Sequence, residues 1–311
     1  MSGSVLVTGG AGFIGSRVAK SLLADGHDVM VVDDLSTGKR SNVPAGASFV
    51  ELDLSRDDGV ARLPDAPCAG ILHLAGQSSG KRSFDDPLRD FDANARSTLL
   101  LARWANEHDV PLLVHASSMG VYGMGAREPM SEEMPAEPIS YYGASKLAAE
   151  QALAVAAKTG LRTCSLRMFN VYGAGQDLEN LDQGMVSIYL AYVLRGEPVL
   201  VRGSLDRVRD LVHVDDVVEA WKLALARPVP GALNVGSGTG TRVDELLKQI
   251  FRACGVEDDY PVVEHPGTPG DAHTTVADIG RARRLLGWTP QVALEDGLRE
   301  FVAGATAGAA T

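Results

Sequence analysis

The sequence predicts an α/β protein built on a doubly wound parallel sheet. Three observations carry this. Short apolar strands alternate with longer helical patterns, a glycine-rich turn joins the first strand to the first helix, and an acidic residue closes the second strand. Ser4–Thr8 reads as the first strand and Gly12–Asp25 as the helix after the turn, and His27–Val32 is the second strand, ending on Asp33 and Asp34. Further strands are expected at Ala47–Glu51, Gly70–Leu74, Leu112–Ala116 and Arg162–Arg167, with helices over Pro87–His108 and Tyr142–Thr159. Parallel neighbours need crossover helices, so this cadence covers the sheet on both faces.

After Asn170 the cadence changes. Asn180–Arg195 reads as a helix, Pro198–Arg202 as a strand, Asp215–Ala226 as a helix and Ala232–Gly236 as a strand. Thr241–Cys254 is helical with Thr241 as its N-cap, Pro261–Val263 and the loop His265–Asp271 follow, and Ala303–Thr311 reads as a fraying tail. The expected division is a dinucleotide-binding domain over 1–170 and a smaller, mainly substrate-binding lobe over 171–311. Segments near 211–236 are expected to return to the first domain.

Composition narrows the function classes. The chain has 311 residues, enough to bury a core without staples. With 29 Lys and Arg against 40 Asp and Glu the net charge is −11, which argues against nucleic acid or an anionic membrane as main partner. Cys68, Cys164 and Cys254 form no CxxC pair, so neither a disulfide framework nor a metal site is expected. There is no secretory pattern at the start and no apolar run of the ~18–20 residues that a membrane span needs. A soluble cytoplasmic protein is expected.

The turn Thr8-Gly9-Gly10-Ala11-Gly12-Phe13-Ile14-Gly15 lies between strand and helix. Glycines at 9, 12 and 15 allow a tight turn, close approach of a pyrophosphate and helix–strand packing, and the helix N-terminus offers free N–H groups to phosphate. Asp33, 18 residues beyond Gly15, can accept from both hydroxyls of an adenine ribose. Asp33 with Asp34 would repel a 2′-phosphate, with only Lys39 and Arg40 nearby to offset it, so NAD is expected rather than NADP. Asp53 is either an adenine contact or a strand-end turn residue.

Tyr142 and Lys146 stand at i and i+4 on one helix face. A phenol of pKa near ~10 is a poor base at neutral pH, and a neighbouring ammonium together with an oxidised nicotinamide would lower it. Ser117 and Ser118 follow the strand Leu112–Ala116, at the sheet edge where ligands of open α/β sheets sit. A hydroxyl there can share the proton of a substrate oxygen being oxidised.

With these motifs the chain resembles the extended short-chain dehydrogenase/reductase family, in its nucleotide-sugar epimerase/dehydratase branch. The likeness runs from about Val5 to Pro290 through TGGAGFIG (Thr8–Gly15), DDLSTGKRSN (Asp33–Asn42), HLAGQSS (His73–Ser79), SSMGVYG (Ser117–Gly123), YYGASK (Tyr141–Lys146), RMFNVYGAGQ (Arg167–Gln176), RDLVHVDDVVEA (Arg209–Ala220), NVGSG (Asn234–Gly238) and LLGWTP (Leu285–Pro290). The resemblance implies a Rossmann domain holding NAD and a C-terminal lobe that clamps a nucleoside diphosphate sugar. It implies Ser118, Tyr142 and Lys146 as the catalytic trio. Cofactor contacts are implied at Gly9, Gly12, Phe13, Ile14 and Gly15, at Asp33, Asp34, Leu35, Ser36, Thr37 and Gly38, at Asp53 and Leu54, at Leu74, Ala75 and Gly76, and at Asn94, Tyr142 and Lys146. Substrate contacts are implied at Ser118, Tyr142, Asn170, Leu200, Arg202, Arg207, Arg209 and Asp271. A homodimer built on the Pro87–His108 and Tyr142–Thr159 helices is implied as well.

Departures from the family pattern narrow the chemistry. Dehydratases carry Asp-Glu directly after the catalytic hydroxyl residue, and related decarboxylases a Glu, whereas Met119-Gly120 here cannot transfer protons. Where many members read Arg-Pro-Gly-Asp, this chain reads Thr268-Pro269-Gly270-Asp271, and Arg207 is the candidate replacement for the missing arginine. Arg202 stands where an aromatic often stacks on the base, and its guanidinium plane could stack instead. Lys81 and Arg82 are candidates to meet a sugar carboxylate, or a solvated basic pair. The leading expectation is a UDP-sugar 4-epimerase acting on the glucose/galactose or glucuronate/galacturonate pair. The alternatives are a nucleotide-sugar 4-ketoreductase, whose usual NADPH conflicts with Asp33 and Asp34, and a non-catalytic NAD-binding protein.

Overall fold

A computed structural model describes residues 3–65, 68–123, 128–182, 184–267 and 272–308. The strands are β1 (Ser4–Thr8), β2 (Val29–Asp33), β3 (Ser48–Glu51), β4 (Cys68–His73), β5 (Leu112–Ser118), β6 (Arg162–Met168), β7 (Asn170–Tyr172), β8 (Val199–Arg202), β9 (Val208–His213), β10 (Gly231–Val235), β11 (Gly240–Arg242), β12 (Val262–His265) and β13 (Thr274–Thr275). The helices are α1 (Phe13–Ala24), α2 (Asp57–Val60), α3 (Gly80–Asp85), α4 (Pro87–Phe91), α5 (Ser97–Glu107), α6 (Tyr141–Ala156), α7 (Met185–Leu194), α8 (Val214–Ala226), α9 (Val243–Cys254), α10 (Gly280–Leu286) and α11 (Leu294–Gly308).

Seven parallel strands form the main sheet in the order β10-β6-β5-β4-β1-β2-β3. Alternation sends neighbouring side chains to opposite faces. Val5, Val7, Val31 and Val114 face α1 and α8, with Trp221 buried among them, while Leu6, Val32, Ile71 and Leu113 face Leu101, Trp104 and Leu153 of α5 and α6. Burial on both faces is why these strands read as near-continuous apolar runs. The strand order reverses between β1 and β4, so a crevice opens beyond their C-terminal ends.

The chain leaves the sheet after β6, enters it again only at β10, and uses the excursion for a second core. That core packs α7, α9 and α11 around β8 and β9, with Tyr189, Leu190, Val201, Phe251 and Phe301 buried in it. β9 is central to a small sheet, paired with β7, β11 and β13, and β8 pairs with β12.

Several boundaries differ from the sequence expectation. The helix expected at Asn180–Arg195 begins only at Met185 and ends at Leu194. Thr241 belongs to β11 and does not cap α9, whose N-cap Arg242 accepts no side-chain bond. The expected tail is helical through Gly308, because Leu298 and Phe301 anchor α11 in the second core. Pro87–His108 carries a π-helical turn at Asp92–Arg96, which rotates Asn94 into the interior.

Candidate active site

The crevice between β1 and β4 is shaped by missing side chains. Gly9 has φ +67°, and a Cβ there would stand 2.6 Å from Ala75 N. A Cβ on Gly15 would lie 2.2 Å from Gly9 O, so only glycine lets α1 start this close to the turn. Gly12 faces open space on the cofactor side, its Cβ position meeting only Gly9 O at 3.2 Å. α1 begins behind it with no side-chain cap, leaving its first N–H groups to a ligand. Phe13 and Ile14 form that first turn, half buried. A pyrophosphate fits this cradle, whereas any larger residue at 9 or 15 would close it.

Asp33, at the end of β2, is 7% exposed, and its two oxygens accept from Ala11 N at 3.0 Å and Leu35 N at 2.9 Å. Burial pushes its carboxyl pKa up, and those two backbone bonds oppose the shift. The carboxylate thus ties the glycine turn to the following loop and keeps lone pairs for a ribose. Gly38 packs against it, its Cβ position 2.8 Å from Asp33 Oδ1. Leu35 has φ +58°, and Ser36, Thr37 and Gly38 complete the turn. Asp34 instead accepts from Ser36 N and Oγ at the surface. Neither basic neighbour offsets the acidic pair: Lys39 reaches Asp177 at 3.3 Å and Arg40 stacks on Phe49 at 3.8 Å. Asp53 is exposed and caps Ser55, and Leu54 packs into the core, so both do what a strand-end turn requires.

On the other side of the crevice, β4 leads through Leu74 and Ala75 to Gly76, behind which Asn94 and Lys146 are packed. A Cβ on Gly76 would meet Asn94 Oδ1 at 2.4 Å and Lys146 Nζ at 3.2 Å. Asn94 is fully buried, its Nδ2 donating to Ser145 Oγ at 3.1 Å, while its Oδ1 has no hydrogen-bond partner. A buried, unsatisfied carbonyl beside the crevice is a ready acceptor for a ligand.

β5 delivers Ser118, and α6, N-capped by Ser140, delivers Tyr142 and Lys146. The Ser118 hydroxyl hydrogen-bonds the Tyr142 phenol and accepts from Gly120 N at 3.1 Å. Lys146 Nζ lies 5.9 Å from the centre of the Tyr142 ring. Burial pushes the Tyr142 pKa up to about 12, with the Ser118 bond lowering it, and pulls Lys146 down to about 8. Desolvation by burial is the largest cause of both shifts.

Under this trio runs a polar layer that the sequence did not single out. Arg167 and Glu150 form a bidentate ion pair at 2.9 and 2.7 Å, each side chain 8% exposed. Glu150 also accepts from Ser117 Oγ at 2.5 Å, so the strand end that carries Ser118 is tied to α6. Asp90 on α4 is buried and accepts from Gln77, Ser145 and Asn94. The available signals were Glu150 and Asp90 standing four residues from Lys146 and Asn94.

Besides Ser118 and Tyr142, the expected substrate contacts that the structure describes follow β6. Asn170, at the start of β7, donates to Asp210 O of β9 at 2.9 Å. Arg209 is 2% exposed and donates to the carbonyls of Val208 and His273, each at 2.9 Å. Arg207 is 6% exposed with its guanidinium against Gly203 and Nε on Ser204 O at 2.9 Å. Leu200 is half buried and Arg202 exposed at the end of β8, opposite His265. Thr268 and Asp271 fall outside the described residues. Lys81 and Arg82 are exposed, and both pair with Asp182, at 2.6 and 3.6 Å.

The profile of the NAD dependent epimerase/dehydratase family matches residues 5–236. The chain is 40% identical over 306 residues to a UDP-glucose 4-epimerase of Mycolicibacterium smegmatis, covering 96% of each chain. The crystal structure of the Thermotoga maritima UDP-glucose 4-epimerase with UDP-glucose superposes with a TM-score of 0.94 at 36% identity, covering 98% of this chain and 99% of that one. The Thermus thermophilus UDP-glucose 4-epimerase complexed with NAD gives 0.89 at 39% identity, with 97% and 98% covered.

Gly15→Ala should weaken NAD binding by about tenfold or more, equivalent to ~1.4 kcal/mol, read by titration of nicotinamide fluorescence. Wild-type affinity in a folded Gly15→Ala protein would mean that α1 does not border the cofactor.

Proposed function

This chain belongs to the NAD-dependent epimerase/dehydratase family, and we propose that it is a UDP-sugar 4-epimerase interconverting UDP-glucose and UDP-galactose. The observation that carries the reading is the convergence of Ser118, Tyr142 and Lys146 at the C-terminal edge of the sheet, with Gly120 beside them. A Cβ on Gly120 would sit 3.5–3.6 Å from Ser118 Oγ and the Tyr142 ring, where a dehydratase needs an acid or a base and this chain has none.

NAD, when bound, supplies the two-electron acceptor and donor for C4 of the sugar. The glycine turn would hold its pyrophosphate, Asp33 its adenine ribose, and Lys146 with Tyr142 its nicotinamide ribose. Tyr142, as phenolate, takes the proton of the C4 hydroxyl, with Ser118 sharing that hydrogen bond. The resulting 4-keto sugar turns over in the site, and Tyr142 returns the proton to the C4 oxygen as the opposite epimer forms. The cycle is redox-neutral, so no external reductant is consumed.

Residues 171–311 serve mainly as the substrate lobe in this reading, with β10 returned to the main sheet. Asn170, Arg207 and Arg209 are proposed to contact the sugar nucleotide, Arg207 standing in for the cation missing at Thr268, and Leu200 and Arg202 to contact the base.

The protein is proposed to act as a homodimer. Leu88, Leu99 and Val155 are 79%, 55% and 63% exposed, and Phe84, Phe91 and Tyr141 also face outward from α3–α6. Such a concentration of apolar surface on one helix layer marks an interface. Among the described residues no helix is long and apolar enough to cross a membrane, consistent with the expected cytoplasmic location.

UDP-glucose incubated with the enzyme and no added reductant should yield UDP-galactose by NMR, and Tyr142→Phe should cut turnover by about 10²–10⁴ while NAD stays bound. No epimer from the wild type would sink the reading. Turnover should also fall above about pH 8, where Lys146 loses its proton, as read from initial rates across pH. The double substitution Leu99→Lys, Val155→Lys should halve the mass seen by analytical ultracentrifugation; an unchanged mass would place the interface elsewhere.

A further inference from the structure

The buried carboxylate of Asp90 has no part in the reaction as described. It is 1% exposed and accepts from Ser145 Oγ at 2.5 Å, Gln77 Nε2 at 2.6 Å and Asn94 Nδ2 at 3.3 Å. These donors come from α6, from the loop after β4 and from the π-helical turn, so one side chain joins three walls of the site. Three donors and no acceptor around it suit an ionised carboxylate. Ser145 lies between Tyr142 and Lys146 on α6, and its hydroxyl is also 3.0 Å from the Tyr142 carbonyl.

The charged and titratable groups around Lys146 are few. Tyr142 shares its helix, His73 approaches from β4 and His115 from β5, and Asp90 from α4. Burial and the ammonium itself keep both histidines neutral, His73 being pulled down to about 3. Glu150, one turn further along α6, is occupied by Arg167 and Ser117. Among the described residues, Asp90 is the anion whose charge favours the ammonium of Lys146.

We propose that Asp90 is a positioning residue for the proton chemistry of Tyr142 and Lys146: its charge opposes that of the ammonium, and its bonds to Ser145 and Asn94 fix the active face of α6. The inference rests on the epimerase reading above. An anion at this place favours the ammonium of Lys146 and disfavours the phenolate of Tyr142, so it raises the proton affinity of both groups. Removing the charge lowers both. The two limbs of the bell-shaped dependence of kcat on pH then move together toward lower pH, which a merely damaged site would not produce.

The test compares the pH profiles of the NAD-bound wild type, the neutral variants Asp90→Asn and Asp90→Ser, and the charge-retaining Asp90→Glu, all with UDP-glucose. The neutral variants should shift both limbs down by about one pH unit and lose about fivefold in kcat at pH 8, with KM changed less than about twofold. Asp90→Glu should keep the wild-type optimum even if its maximal rate falls. An unshifted profile in a folded neutral variant overturns the proposal, and so does failure of both neutral variants to fold, which would make Asp90 a residue of the fold alone. Wild-type turnover in the same assay separates the two failures: no epimer from the wild type defeats the functional reading, an unshifted variant only this one.

Discussion

The crevice exists because three Cβ atoms are absent. Gly9 lets β1 turn within van der Waals reach of the chain leaving β4, Gly15 lets α1 start against that turn, and Gly76 leaves room for Asn94 and Lys146 behind it. Each added methyl would strike backbone or a buried polar atom, and backbone in a packed sheet cannot retreat cheaply. Everything chemical in the protein is arranged around the space so left open. The free N–H groups of α1 face it from one side, and the Ser118, Tyr142 and Lys146 side chains border it on the other.

Placing a phenol and an ammonium in that space has an electrostatic consequence. Both lose water, and burial drives the phenol pKa to about 12 and the ammonium to about 8. The site by itself is thus set against its own active protonation state at neutral pH. A cationic ring beside Tyr142 reverses the balance, because its charge acts through the same low-dielectric surroundings that penalise the phenolate. In the proposed mechanism, binding of the oxidised cofactor would therefore also activate the base. The surrounding histidines stay neutral, so they add no charge that would oppose it.

The polar layer beneath the trio supplies rigidity. A buried ion pair such as Arg167–Glu150 contributes little net stability, since desolvation offsets most of its Coulomb gain, but loss of one partner strands the other. Here the pair joins β6 to α6, Ser117 adds the end of β5, and Arg167 lies 4.8 Å from the Tyr122 ring. Tyr122 in turn donates to Asn234, which also holds the carbonyls of Met130 and Asp278. Asp210 performs a similar task in the second lobe, accepting from Ser237 N, Gly238 N and Ala277 N. These bonds hold the lobe that returns at β10 in fixed relation to the catalytic edge of the sheet.

Much of this was legible in the linear chain. Strand alternation, the glycine turn, Asp33 and the Tyr142–Lys146 spacing are local patterns, and local patterns survive in sequence because backbone geometry and helix periodicity are local. The sequence by itself therefore determined the fold class and the family, and it put forward the cofactor cradle and the reacting side chains proposed above. It did not show that Asp90, Gln77, Asn94 and Ser145 meet, nor that Lys81 and Arg82 are taken by a carboxylate a hundred residues away at Asp182. The upward push of burial on the Tyr142 phenol was not legible either, since the pKa of a group follows its burial, and burial is set by elements distant in the chain. Those assignments belong to tertiary structure alone: a charge acts through space on whatever the fold brings near it.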